Sequence, residues 1–548
     1  MASPFAIAAV VLALIYLALR ALINFTQHPD EPPAVLTSIP FLEPIICLLQ
    51  RRYKIWQDVK NKFNLPIYTL RTPLARIYVV NDTSLIPAVE RQNKVLAFSP
   101  IEAEAMVHLL EMSDKTNQTL RTNPTGEDGH FITYHHAVRP ALAPGPGLDD
   151  MNRIMVDTIA TSLTNLRQQS SPVVKLFDWV QHEIIMATTD AEFGPYNPFR
   201  DPEVERIWLK FESHVPILSL GAFPRVLARE GLEAREFVVS RFLQYFQQGH
   251  YRLGSSFLHA RFQHGQERGL TLEDAARGEV GAAMAIINNT VAASFWILFH
   301  LFSNPGILEE CRRELQAGGI STDEDGTQVL DLDHVKFNCP VLVSTLQEVF
   351  RYRGIGTLII RSVLEDHKLS GRYLLKKGAI ILMPNSVQHF DPSIWGADVN
   401  EFNHRRWLPD PKTGKRRRYN PSAFRIFGSG STLCPGRHFA NNEILAFAAL
   451  TILQFDLRPK ANNGRWEANT NRSFGMGVAR VFLMPEKDFD VEFFSRIQDR
   501  NQRWRVHLTG SKKAVHTLAD EMEAHEKAMH AKADAEAEEK ARVRKLSV

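Results

Sequence analysis

Residues 427–440 read FGSGSTLCPGRHFA. One cysteine, Cys434, stands between a glycine-rich bend and the start of a helical pattern. Gly428 and Gly430 relax the backbone and let another group approach it closely. Pro435 suits a first helical turn, and residues 443–455 continue as a largely apolar helix. A cysteine at a helix N-terminus meets unsatisfied N–H groups and the positive end of the dipole, which favours its thiolate. With no neighbouring cysteine to form a dithiol or a zinc knuckle, such a thiolate suits a single axial bond to a metal. The plainer reading is a buried structural cysteine in a turn.

Working outward, the chain of 548 residues is long enough for a large core, and its 44% hydrophobic and 23% charged content is that of a folded protein. A net charge of +3 is small for this length and does not argue for nucleic acid, which is not expected as a partner. The four cysteines, Cys47, Cys311, Cys339 and Cys434, have no framework spacing, which fits a reducing, cytosol-facing location better than disulfide-rich secretion.

Residues 5–25 are apolar except for Arg20 and Asn24, close to the roughly 20 residues needed to cross a bilayer as a helix. Arg20, Arg51, Arg52 and Lys54 follow the stretch, an asymmetry that keeps the bulk of the chain on the cytosolic side. An uncleaved anchor is expected rather than a signal peptide, because a basic leader and an A-x-A site are missing. The proline-rich run 30–40 (DEPPAVLTSIP) reads as a stiff connector. Residues 511–548 are dense in Ala, Glu, Lys and Arg and read as a solvated helix or a disordered tail. The expected division is an anchor over 1–28, one catalytic domain over 29–500 and a charged tail over 501–548.

Residues 117–129 read as a polar loop leading into a helix over 130–139. The longest helical stretch is 271–302, with Thr271 and Asp274 as its cap and Ser303-Asn304-Pro305-Gly306 as its stop. About 30 residues at about 1.5 Å each make a rod of roughly 45 Å, and its apolar faces call for burial. Asn288, Asn289 and Thr290 interrupt it and need polar partners, water or a ligand. An ordinary helix-bending hydrogen bond is the bland alternative. Further on, Glu348 and Arg351 lie on one helix face, followed by the run Asn403-His404-Arg405-Arg406-Trp407.

The spacing Phe427-x-x-Gly430-x-x-x-Cys434-x-Gly436, preceded by E-x-x-R and then N-H-R-R-W, resembles the cytochrome P-450 superfamily of heme-thiolate monooxygenases over roughly residues 32–494. The resemblance implies a mainly helical fold with a small β-rich portion behind an N-terminal transmembrane helix. It implies heme (iron protoporphyrin IX) as cofactor, with Cys434 the iron ligand pushing electron density toward bound oxygen. Phe427 would pack beside the sulfur, and Gly430 and Gly436 would leave room for the porphyrin. The family usually carries Arg or His where this chain has Thr432, so a propionate contact must come from elsewhere. By resemblance Arg361 could bind a propionate, and His135, His136 and Arg139 are further candidates. Glu348, Arg351 and Arg406 would form the family's structural triad. Residues 354–357 would line the pocket, and 474–477 (FGMG) resemble a turn that reaches back over it. Residues 195–254 would form its mobile roof.

In the family an acid–alcohol pair on the long helix delivers protons. Here Asn288 takes the acid's approximate position and Asn289 or Thr290 the alcohol's, so Thr290 or ordered water is the expected route. The implied activity is monooxygenation of a lipophilic small molecule in the endoplasmic reticulum membrane, with electrons from an NADPH-cytochrome P-450 reductase. The basic run 415–418 (KRRR) lies where an acidic donor would dock, or is simply a solvated loop. The C-P-G-R-x-F-A run and the Asn-Thr step resemble the branch with sterol hydroxylases and prostacyclin synthases. A sterol, terpenoid or other secondary metabolite is therefore the expected substrate. Two alternatives stand beside it: a heme-thiolate isomerase or dehydratase of a peroxide, and a non-catalytic heme-binding membrane protein.

Overall fold

The computed structural model describes residues 3–35, 37–51, 54–73, 75–219, 221, 223–356, 359–470 and 481–508. Its centre is the helix Leu272–Phe302, whose N-cap Thr271 accepts the Asp274 N–H at 3.0 Å. The Asp274 carboxylate in turn accepts from Ser113 and Thr116, which ties the helix start to a neighbouring segment. Ser303 caps its end, as the sequence predicts. Around this helix pack Leu176–Phe193, Arg229–Gln247, Pro340–Arg353 and Arg437–Gln454, with Pro146–Gln168 completing the bundle.

A five-stranded sheet lies to one side, in the order 67–71, 76–80, 380–382, 360–363, 96–97. The hairpin pairs Ile67 with Val80, and Ile381 sits between Tyr78 and Arg361 in the ladder. Strands therefore hold Arg361 at a fixed register, on its buried face. Three smaller sheets complete a fold that is mainly helical with a limited β portion.

Two helices among the described residues are long and apolar enough to cross a bilayer. The apolar window of Leu272–Phe302 is 72% buried, so it is a core element, whereas that of Pro4–Thr26 is 6% buried. Apolar side chains of Pro4–Thr26, Phe5 and Leu12 among them, are left exposed by the described residues.

Three local departures have physical causes. Part of the expected loop 117–129 lies in a helix, Asp114–Arg121, which Ser113 caps and Leu120 anchors in the core; its polar composition hides that single anchor. The helix after Cys434 starts at Arg437, with Pro435 and Gly436 in the preceding turn. The strand Trp504–His507 pairs in parallel with Gln328–Asp331, so the folded body continues past residue 500. The tail from 509 onward and the FGMG turn at 474–477 lie outside the described residues.

Candidate active site

The cysteine loop is built by its turns. Gly428 has φ +79°, and a Cβ there would lie 2.6 Å from the Thr432 carbonyl oxygen, so only glycine fits. The loop closes through the Cys434 N–H, which donates to the Phe427 carbonyl at 2.8 Å. Cys434 is half-buried, at the start of the turn that carries the backbone N–H groups of Gly436 and Arg437. Burial pushes its thiol pKa up, while those two N–H groups and the Arg437 charge pull it down. Phe427 meets Phe350 edge-on at 5.5 Å between ring centroids, which fixes the loop to the helix Pro340–Arg353.

Arg361 reaches this loop from the sheet. Its Nη2 donates to Thr432 Oγ1 at 3.0 Å, and Thr432 Oγ1 donates to the Ser429 carbonyl. Thr432, which departs from the expected cation, is thus the residue that receives one. A second guanidinium, Arg425, is fully buried nearby. Burial pushes Arg425 down to about 10, opposed by Glu90 and reinforced by the Arg361 charge. Arg361 is lowered for the same reason, again opposed by Glu90. Glu90 lies 3.8 Å from Arg425 Nη1 and accepts a hydrogen bond from Ser429 Oγ. Two buried cations thus face one nearby carboxylate, an imbalance that a further anion would relieve.

That imbalance, and the room around the loop, fit a heme. A Cβ on Gly430 would have Glu90 Cβ, at 4.0 Å, as its nearest neighbour, and one on Gly436 would lie 3.9 Å from Cys434 Sγ. Cys434 would hold the iron of such a group, and Arg361 with Thr432 one of its carboxylates.

Below the loop, Glu348 binds both Arg351 and Arg406, all three buried. Arg351 also donates to the carbonyls of His389, Val399 and Glu401. Arg406 pairs with Asp398 as well, so every charge of the cluster has hydrogen-bonded partners.

On the long helix the three polar residues diverge. Asn288 is 1% exposed, and neither atom of its amide has a hydrogen-bond partner among the described residues. Thr290 is buried and holds the Ile286 carbonyl loosely, at 3.4 Å. Asn289 accepts the N–H of Val481 at 2.9 Å and of Phe482 at 3.3 Å. It shares a face with Ala282, Ala285 and Ile286, which keep open surface while 283, 284, 287 and 288 are buried. Open surface along this face, between buried neighbours, is what a cavity beside the helix requires.

The remaining candidates scatter. His135 is half-buried, 3.8 Å from Glu102, while His136 and Arg139 are exposed. His130, on the same helix, is buried against His264, and burial lowers its pKa to about 4. Gly354 is packed so closely that a Cβ would fall 2.0 Å from Ile426 Cδ1; Thr357 lies outside the described residues. Glu90 and Arg425 escape the sequence reading, although a lone arginine inside the apolar run AFRIF is a visible signal.

Comparison with known proteins agrees with this geometry. Residues 139–493 match the family model described as cytochrome P450. The chain is 32% identical over 492 residues to the cytochrome P450 monooxygenase nodJ of Hypoxylon pulicicidum, covering 88% of this chain and 93% of that one. It is 25% identical to a cytochrome P450 monooxygenase of Gibberella zeae, over 84% of this chain and 88% of that one. A shorter match, 31% over 218 residues (37% of this chain, 42% of the other), is to cholesterol 7-alpha-monooxygenase of Cricetulus griseus.

Proposed function

The chain belongs to the cytochrome P450 family, and from that premise we propose that Cys434 is the axial thiolate of its heme and that the enzyme oxygenates a lipophilic small molecule. The observation that carries the ligand assignment is the place of Cys434 in a glycine-built loop, closed by its own N–H on the Phe427 carbonyl, beside two buried arginines. Bound there, the heme supplies the oxygen-activating iron.

The chain's own residues divide the remaining work. The N–H groups of Gly436 and Arg437 hold the thiolate charge. Arg361, with Thr432, binds a heme carboxylate, and Phe427 fixes the loop against Phe350. The apolar face of Ala282, Ala285 and Ile286 excludes water and orients substrate. Thr290 is the proton relay: its 3.4 Å bond to Ile286 is weak enough for the hydroxyl to turn.

A sterol, terpenoid or other polycyclic metabolite is the proposed substrate class. One relative is named for a sterol, and an apolar helix at Pro4–Thr26 would bring the site to a membrane where such molecules collect. That helix, within residues 1–28, serves as an endoplasmic reticulum anchor with the domain facing the cytosol. The exposed run 415–418 supports docking of an acidic, NADPH-fed reductase. A peroxide isomerase is the second reading, favoured by an amide, Asn288, where an acid would donate a proton.

Reduced protein under carbon monoxide is the test of the ligand. Wild type should give the absorption band for which the superfamily is named, and Cys434→Ala should abolish it. A folded, heme-loaded wild type without the band would sink the assignment. Oxygen incorporation from labelled O₂, with reductase and a sterol and terpenoid panel, separates monooxygenation from isomerisation.

A further inference from the structure

We propose that Asn289 is a positioning residue that fixes residues 481–482 as a wall of the site, rather than a group that handles protons. The inference rests on the heme-site reading above and concerns which residue shapes that site.

The geometry is specific. The Asn289 side-chain oxygen, with two lone pairs, accepts both the Val481 and the Phe482 N–H. Seven residues along the same helix, Trp296 Nε1 donates to the Leu483 carbonyl at 2.9 Å. On the far side, the Gly356 N–H donates to the Val481 carbonyl at 2.8 Å. The segment 481–483 is thus tied to the long helix at two points and to the 354–356 strand-lead at a third. Asn289 supplies the tie that lies beside Ala285, within the open face of the helix.

Packing carries the constraint further. Phe482 is buried and meets Phe350 at 5.5 Å. Phe350 meets Phe427, whose carbonyl accepts the Cys434 N–H. One frame therefore holds the helix beside the cavity, the returning segment and the cysteine loop. With its oxygen engaged by two N–H groups, the Asn289 amide has no free acceptor to pass a proton through. Removing it leaves two backbone N–H groups without an acceptor, and the wall they belong to loosens.

The experiment uses the full-length, heme-loaded protein in lipid nanodiscs, as wild type, Asn289→Ala and Asn289→Asp. Amide hydrogen exchange is read at 481 and 482, and ferric-iron binding of imidazole and of 4-phenylimidazole is followed by difference spectra. Asn289→Ala should speed exchange at both amides about tenfold, the scale of one lost hydrogen bond. It should change the affinity for the bulky phenylimidazole several-fold while leaving imidazole unchanged. Asn289→Asp, which keeps the acceptor oxygen, should restore both readings. Unchanged exchange in the alanine variant, or an aspartate variant that behaves like it, overturns the proposal. Absence of the carbon monoxide band in wild type is a different failure: it removes the heme-site reading and leaves the exchange result standing.

Discussion

Arg406 lays its Nε 3.2 Å from both carboxylate oxygens of Glu348, across 58 residues of chain. Glu348 takes Arg351 on its other side at 2.7 and 2.9 Å, and also accepts from Trp407 Nε1 and the Asn403 N–H. The carboxylate is the hinge of the cluster: if it goes, buried Arg351 loses its carboxylate partner and Arg406 keeps only Asp398.

Glu348→Gln should therefore be severely destabilising, by about 3–5 kcal/mol, the cost of stranding buried charge. It should appear as heme-poor, low-melting protein. Arg405→Ala, one residue from the triad, is the contrast. Its pair with Glu310 is over half exposed on the arginine side, and exposed pairs contribute about 0–1 kcal/mol. Equal melting temperatures for the two variants would contradict the assignment of Glu348 as the hinge.

Arg361 offers a reading of heme affinity separate from turnover. A charge-assisted hydrogen bond contributes about 1.5–3 kcal/mol, so Arg361→Ala should release heme about tenfold to a hundredfold faster. Transfer of heme to an apo-globin acceptor measures that rate. Wild-type kinetics in the variant would show that the Arg361–Thr432 pair holds only the loop.

What the sequence discloses of this site is what lies close in the chain. The cysteine loop is legible because its glycines, its thiol and the helix after it are consecutive residues with local causes. Glu348 and Arg351 are legible for the same reason, and Arg406 joins them through the order of motifs. Glu90 and Ser429 stand 339 residues apart, and no local periodicity announces their contact. Asn289 is conspicuous as a polar residue in an apolar helix, but its partners lie 192 and 193 residues away, so its role cannot be read from its neighbours. The helix Asp114–Arg121 is hidden differently: one buried leucine, a serine cap and the bonds of Ser113 and Thr116 to the distant Asp274 fold a run that composition assigns to solvent.

The N-terminal helix predicts a sharp difference between two truncations. Deleting residues 1–22 removes most of the exposed apolar surface but keeps Thr26, which accepts from Arg71 at 3.0 Å and from Arg76 at 2.9 Å. That protein should move from the membrane toward the soluble fraction with its carbon monoxide spectrum intact. Deleting residues 1–36 also removes Glu31, the partner of the Tyr78 hydroxyl and of Arg76, and the backbone bonds that Pro33 and Val35 make to Thr69. The Tyr78 hydroxyl still accepts the Lys376 N–H but loses the acceptor for its own hydrogen; a buried donor left so costs about 1–3 kcal/mol, and this form should melt lower. Indistinguishable melting of the two forms would mean that residues 31–35 add nothing to the sheet.

Glu443 sets a pH dependence whose sign follows from its surroundings. It is fully buried, accepts from Thr188 Oγ1 at 2.7 Å, and has no hydrogen-bond partner for Oε2 among the described residues. Burial raises its pKa from 4.5 to about 8, with the Thr188 bond pulling the other way. Because the folded-state value lies above the unfolded one, the group's contribution to stability is complete below about pH 4.5 and is lost as pH rises through about 8. Glu443→Gln keeps an acceptor for Thr188 and cannot ionise. The variant should therefore gain in melting temperature on wild type steadily between pH 5 and 8, and the gap should level off above that. A gap that stays constant across the range would mean that Glu443 is ionised in the folded protein, and a cation would then have to be found for it.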